Sequence, residues 1–235
     1  ATYDGFAVVD LDDPTAPRVV AEREEIPAAG GGSVGALQDL AYDRGRLVVA
    51  SDGGDGVAVF DVSDPADPVM VTSYSTTYGV HNCDVYRDHA FLTTGTALDV
   101  VDVSADPPQW TATWSVTDYD EAYGDVSSFL RNLHDVVVER GRAYLAYWDA
   151  GTWMLDVSDP ASPAYLGHVA DSTAAELAAL PNSKVGEAFY EPPGNSHYAQ
   201  PNDDGTVLAV GRESWDVEGS SIEGDEPEED DLGGP

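Results

Sequence analysis

A short segment that occurs four times constrains this chain more than any other feature. Val9-Asp10-Leu11-Asp12-Asp13-Pro14 recurs as Phe60-Asp61-Val62-Ser63-Asp64-Pro65, as Val101-Asp102-Val103-Ser104 and as Leu155-Asp156-Val157-Ser158-Asp159-Pro160. The first aspartates of successive copies are 51, 41 and 54 residues apart, a period that suits one four-stranded propeller blade plus variable loops. In the clearest copy, residues 39–42, 46–51, 56–62 and 68–74 read as four short strands. The Asp-Pro after the third strand cannot continue a ladder and favours a turn, so it marks the crossing to the fourth. Arg44-Gly45, Arg87-Asp88 and Arg140-Gly141 link the first two strands. Two-residue links of that type suit tight hairpins, because glycine and aspartate tolerate positive φ. Helix is scarce; only residues 172–180, capped by Ser172 or Thr173, read as a short one.

The fold class that follows is all-β, a β-propeller of four-stranded antiparallel blades. Three complete blades are expected at about 38–74, 81–116 and 134–170. Residues 1–23 supply a half-blade made of a third and fourth strand, and residues 197–212 one made of a first and second strand. An acidic loop occupies 217–235. Two closures are open: the halves join into one blade of a four-bladed ring, or the chain is a fragment of a larger propeller. Ala1 leads almost directly into a strand-like segment without a basic and apolar leader, which suggests a start inside a domain.

The Val8-Val9-Asp10-Leu11, Val59-Phe60-Asp61-Val62 and Met154-Leu155-Asp156-Val157 segments resemble LVIVD repeats. Across most of its length the chain is similar to the LVIVD-repeat propeller proteins of haloarchaea. That resemblance implies a further strand after an acidic insertion like 217–235, and so favours the fragment. It also implies export to the cell surface, and it says almost nothing about chemistry.

Charge limits the partners. With 44 acidic residues against 10 basic, the formal net charge is -34, and Lys184 is the only lysine. Hydrophobic residues make up 42% of the chain, enough for a folded core, so the charge does not signal disorder. The acids are spread along the chain rather than blocked, which favours adaptation to molar salt over an acidic surface built for a cationic partner. Nucleic acid is excluded as a partner, since nothing here neutralises a row of phosphates. No apolar run reaches the length of a membrane span. Cys83 stands alone, so no disulfide can form within the chain.

Aligning the blades on their first strands exposes a second pattern. Gln38-Asp39, His81-Asn82, His134-Asp135 and His197-Tyr198 fall at equivalent positions, where first strands enter the central channel. Equivalent residues of successive blades converge on one mouth of that channel. His81, His134 and His197 could therefore ligate a divalent metal through neutral ring nitrogens. Asp135 or Glu187 could orient a ligand or act as a base. The competing reading makes these side chains caps that hydrogen-bond the backbone of neighbouring blades, and spacing alone favours it. Cys83 reads as a small buried filler, His89 and His168 as surface or packing residues, and the turn at 51–56 as a plain turn rather than a calcium loop. Trp148 and Trp153 read as packing between blades.

Long loops at about 24–37, 117–133 and 171–196 all lead into first strands, so they gather on the face of the histidines. Long loops on one face of a rigid scaffold are where binding resides. The segment 186–197 is the leading candidate for contact with a ligand. Two functions follow. The first is a non-catalytic binding or scaffold propeller that recognises a protein or a glycan, with His81, Asn82, His134, Asp135, Glu187, His197 and Tyr198 as ligand-facing residues. The second is a metal-dependent hydrolase or oxidase built on the three histidines; no serine sits in a nucleophile-elbow setting.

At about 1 M salt the screening length falls to roughly 3 Å. Self-repulsion of this surface is then largely removed. The melting temperature is therefore expected to rise steeply between about 0.1 and 3 M salt. A flat profile across that range would contradict the charge argument.

Overall fold

The computed structural model describes residues 5–28, 31, 33–54, 56–191 and 194–214. The acidic loop expected at 217–235 lies outside the described residues, as do Pro192 and Pro193. Strands β1 (Gly5–Asp10) and β2 (Arg18–Glu24) pair as a two-stranded sheet. Three four-stranded antiparallel sheets follow, each a simple meander. The first comprises β3 (Leu37–Asp43), β4 (Arg46–Ser51), β5 (Gly56–Asp61) and β6 (Val69–Tyr74). The second comprises β7 (Cys83–Tyr86), β8 (His89–Thr93), β9 (Leu98–Asp102) and β10 (Gln109–Trp114). After a loop holding α1 (Val116–Tyr119) and a 3-10 turn (Glu121–Asp125), the third comprises β11 (Asp135–Glu139), β12 (Arg142–Tyr147), β13 (Gly151–Asp156) and β14 (Ala164–Val169). Helices α2 (Ala174–Ala178) and α3 (Asn182–Tyr190) lead to a last pair, β15 (Asn195–Pro201) and β16 (Leu208–Glu213). The molecule is an all-β propeller fragment of three blades flanked by two half-blades. The half-blades do not pair with each other, so the four-bladed ring does not form among the described residues.

The repeat generates this architecture through side-chain alternation. Middle strands are covered on both faces, because each sheet is packed between two neighbours. Val48, Ala50, Val57 and Val59 point to one side, against Cys83, Ala90, Leu92 and Val101 of the next blade. Leu47, Val49, Ala58 and Phe60 point to the other, against Phe6 and Ile26. Odd and even residues thus belong to different cores. The fourth strands carry little of this burden: Val69 is 52% exposed while Val48 and Val49 are fully buried.

The repeated aspartate builds a turn. Asp61, Asp102 and Asp156 each accept a bond from the backbone N–H two residues on, at Ser63, Ser104 and Ser158, all at 2.9 Å. Asp10 does the same for Asp12. Half-buried and fixed by these local bonds, the four carboxyls lie below their ordinary range: neighbouring N–H donors, with serine hydroxyls at three of them and Arg18 at Asp10, stabilise the charged form, at Asp102 against the opposing effect of burial. The two-residue hairpins form with positive φ at both positions: 46° and 87° at Arg44-Gly45, 48° and 61° at Arg87-Asp88, and 52° and 77° at Arg140-Gly141. Each also locks to the third strand of its own blade, Val62, Val103 and Val157 donating to the carbonyls of Gly45, Asp88 and Gly141. A β-bulge recurs between third and fourth strands in all four copies, at Val8/Val9, Val59/Phe60, Trp110/Ala112 and Met154/Leu155.

The helix expected at 172–180 is shorter, and a capping box sets its start: Thr173 accepts from the Glu176 N–H while the Glu176 carboxylate accepts from the Thr173 N–H. Helix α3 escapes a sequence reading because Gly186 interrupts a weak pattern; Phe189, buried against the loop before β11, holds it in place. No helix among the described residues is long and apolar enough to cross a membrane.

Gly151 opens β13 at φ 88°, and a Cβ there would lie 2.3 Å from the Val169 carbonyl oxygen. Gly151→Ala therefore meets both backbone strain and a clash with the strand that closes the blade. It is expected to cost roughly 1–3 kcal/mol, read as a lower denaturation midpoint in molar salt. An unchanged midpoint would show that neither the backbone angle nor the Val169 carbonyl opposes a Cβ at this position.

Candidate functional site

A first strand faces the channel with one edge, and an unpaired N–H on that edge is costly when buried. The structure meets this need from the neighbouring blade. Asp39 Oδ2 accepts from Cys83 N at 2.9 Å, Asn82 Oδ1 accepts from Val136 N at 2.9 Å, and the Asp135 carboxyl accepts from Ala199 N. Asp39, Asn82 and Asp135 are the second members of the aligned polar pairs. Each therefore ties its blade to the next. Asp43 to Arg87 N and Asp84 to Val138 N add a second row of such bonds. Tyr198 stands at the same position in the last half-blade, half exposed, with its hydroxyl donating to Gln200.

These ties gather carboxyls. Burial pushes Asp84 up to about 6, with Asp39 and Asp43 adding to the rise. Burial likewise pushes Asp135 up to about 7, reinforced by Asp39 and Asp84, and its Oδ2 has no partner among the described residues.

The first members of the pairs behave differently. His134 lies between His81 and His197, with ring centroids 4.5 Å and 3.9 Å away. The rings form a column. Gln38 and His197 are the extra residues of bulges in β3 and β15, where the register skips from Leu37 to Asp39 and from Ser196 to Tyr198. A bulge re-aims a side chain that the pleat would otherwise direct elsewhere. His134 Nδ1 donates to the His197 carbonyl at 3.1 Å, which fixes its tautomer. Burial, with the two neighbouring imidazoles, pushes His134 down to about 4, so the central ring is neutral at physiological pH. Carboxylates sit at the two ends of the column: Asp52 at 3.5 Å from His81 Nδ1, and Glu213 at 3.2 Å from His197 Nε2.

The sequence pattern thus brings the three histidines together, with successive rings tilted by 52° and 31° to one another. Among the described residues, no group of three His, Cys, Asp or Glu side chains is arranged to hold a metal ion. Glu187 lies on α3, where its carboxylate pairs with Lys184. Cys83 is buried, and burial holds its thiol well above the ordinary range. His168 stacks on Trp153 at 4.0 Å.

Of four further residues of this face, Trp148 reads from sequence only as blade packing and Phe189 only as part of the segment 186–197, while Phe129 and Asp52 carry no sequence signal. Trp148 stacks over His134, with centroids 5.9 Å apart and planes 27° apart. Phe129 and Phe189 pack on Trp148 at 5.4 Å and 4.6 Å, joining the two longest loops over the column. Asp52 sits in the turn between β4 and β5. Equivalence across blades reveals none of these, because the repeat keeps only the strands in step. Within the candidate segment 186–197, Phe189 faces inward and Tyr190 outward.

The LVIVD repeat is matched at residues 48–76 and 131–171. No curated protein matches the chain. Among solved structures, the Myceliophteria thermophila Cps50 (Swd1) β-propeller domain is similar with a TM-score of 0.56 at 10% identity, covering 89% of this chain and 59% of that domain. The chain therefore spans less than two thirds of that relative, and the likeness is one of fold. An S. cerevisiae complex of a Dbp5 variant with Nup159, a Gle1 variant, IP6 and ADP matches more weakly, with a TM-score of 0.44 at 10% identity over 74% of this chain and 45% of that one.

The raised Asp135 carboxyl binds its proton more tightly in the folded state than in the unfolded chain. Its contribution to stability therefore falls as pH rises from about 4 to about 7. Asn82 shows that an amide can accept the same inter-blade bond. Asp135→Asn should consequently gain melting temperature relative to the parent as pH rises through that window, then level off. A difference independent of pH would mean that Asp135 is not held protonated by its surroundings.

Proposed function

We propose that this chain belongs to a non-catalytic binding or scaffold propeller of haloarchaeal type, working at the cell surface in concentrated salt. It recognises a protein or a glycan through the face that carries the long loops. The observation that carries this reading is the composition of that face: a ring column roofed by Trp148, with Tyr78, Phe129, Tyr190 and Tyr198 left exposed around it. Aromatic rings with a polar handle, displayed on a rigid support, give contact area at low entropic cost. The LVIVD repeats and the propeller fold support a binding role in general terms. The acid-rich composition supports the salt habitat.

A metal-dependent hydrolase or oxidase has less in its favour. The central histidine commits Nδ1 to a carbonyl, which leaves it a single ring nitrogen for a metal. The remaining ligands would have to be assembled by rearranging the column.

The test is binding of the full-length parent protein to glycan and protein arrays in molar salt. Tyr78→Ala combined with Tyr190→Ala is expected to weaken any captured partner by about tenfold or more. Arg44→Ala, in a hairpin on the opposite face, should leave binding intact. Equal binding by both variants would overturn the assignment of the long-loop face, and stoichiometric metal retained through His134 would favour the enzyme instead.

A further inference from the structure

Tyr119 in α1 and Tyr165 in β14 are 46 residues apart in sequence, yet their ring centroids lie 4.3 Å apart with planes tilted by 38°. Aromatic pairs commonly keep about 4.5–7 Å, so these two rings meet in van der Waals contact. No other two tyrosine rings pair in this way among the described residues. Both rings are also reachable from solvent, Tyr119 being 48% and Tyr165 36% exposed.

The pair is held from beneath. Trp153 is fully buried, and its Nε1 donates to the Ala150 carbonyl at 2.8 Å. Tyr119 and Tyr165 both pack on its indole, at 5.3 Å and 5.8 Å, and His168 stacks on it at 4.0 Å with planes 8° apart. The Tyr165 hydroxyl and His168 Nδ1 are hydrogen-bonded at 2.8 Å. Burial pushes His168 down, so its imidazole is neutral at physiological pH. A neutral ring with its proton on Nε2 accepts from the phenol.

Two phenols in contact, open to solvent and with a base on one hydroxyl, have what oxidative coupling requires. We propose that Tyr119 and Tyr165 are a modification site, joined as dityrosine when the protein meets a one-electron oxidant. Each phenol gives one electron to the oxidant and loses one proton, that of Tyr165 to His168 Nδ1 and that of Tyr119 to water. The two phenoxyl radicals then form a carbon–carbon bond between ring positions ortho to the oxygens. The hydrogens on those carbons leave as protons, and the oxygens regain protons to restore both phenols. The product is two hydrogens lighter, and two equivalents of oxidant are reduced. Fixed contact on a rigid support favours this coupling over encounters between molecules. The bond ties the connection between the second and third blades to the outer strand of the third. Cys83, alone and buried, cannot supply such a staple. The inference stands apart from the binding role of the long-loop face.

The experiment is visible-light oxidation of the dilute full chain in molar salt by tris(bipyridine)ruthenium with persulfate, followed by peptide mapping. The expected main product is a Tyr119–Tyr165 link within one molecule, two hydrogens lighter than its parent peptides and with dityrosine fluorescence. Tyr119→Phe and Tyr165→Phe keep the ring packing and should each abolish it. His168→Phe keeps a ring on Trp153 and removes the base. It should slow the link about tenfold or more, and free imidazole in the buffer should restore much of the rate. The linked chain should also melt at a higher temperature than the unlinked one, because closing a long loop restricts the unfolded state.

Dityrosine spread over other tyrosines, or formed only between molecules, overturns the proposal. The map of the parent chain decides this without any variant. A rate indifferent to His168→Phe overturns the part given to that residue.

Discussion

The inner edge of each blade determines how the molecule holds together. A first strand in a propeller has a partner on one side only, and its other edge looks across the channel. Backbone groups there need partners that no strand supplies. Asp39, Asn82 and Asp135 supply them from the preceding blade, in one register, with Asp43 and Asp84 in a second row. Because every such bond joins two blades, it fixes their relative height as well as satisfying an N–H. Apolar packing between blades is roughly indifferent to a small slide along the strands; a directional bond to one named N–H is not. The same bonds explain why several carboxyls crowd a narrow channel in a chain already rich in negative charge, and why two of them hold their protons into the neutral range.

Much of this was legible in the sequence because the repeat constrains the backbone. The aspartate that recurs in every copy stands out because the turn it builds is local, with its partners two residues away. The positive-φ hairpins are legible for the same reason. The polar pairs were also visible as a pattern, and their second members are the inter-blade caps that spacing favoured. What could not be read was direction. The same alignment that brings His81, His134 and His197 to one place is compatible with nitrogens converging on one point or with rings packed at a tilt. A bulge at His197, invisible in composition, contributes to the choice. Trp148, Asp52 and Glu213 complete the site from second strands and hairpin turns, whose residues vary from blade to blade. Helix α3 was missed because tertiary contacts of Phe189, rather than local propensity, hold it.

The column also shows how a crowded channel limits charge. Three imidazoles in contact cannot all be protonated without strong mutual repulsion, and the central one is buried besides. Carboxylates stand only at the two outer rings, where water also reaches. The centre of the column is thus neutral and hydrogen-bonded, with a carboxylate beside each outer ring.

The two-residue hairpins between first and second strands are the same length in all three blades, whereas the connections into first strands run from residues 75–82 at their shortest to 170–194 at their longest. The difference follows from the packing. An insertion within a strand would exchange its odd and even residues, and so swap two cores at once. An insertion in a hairpin would break its lock to the third strand. The loops above the channel are bound by neither condition. Descent with change can therefore lengthen and rewrite one side of this molecule while the other stays fixed, so relatives that share its blades are free to differ in everything they recognise.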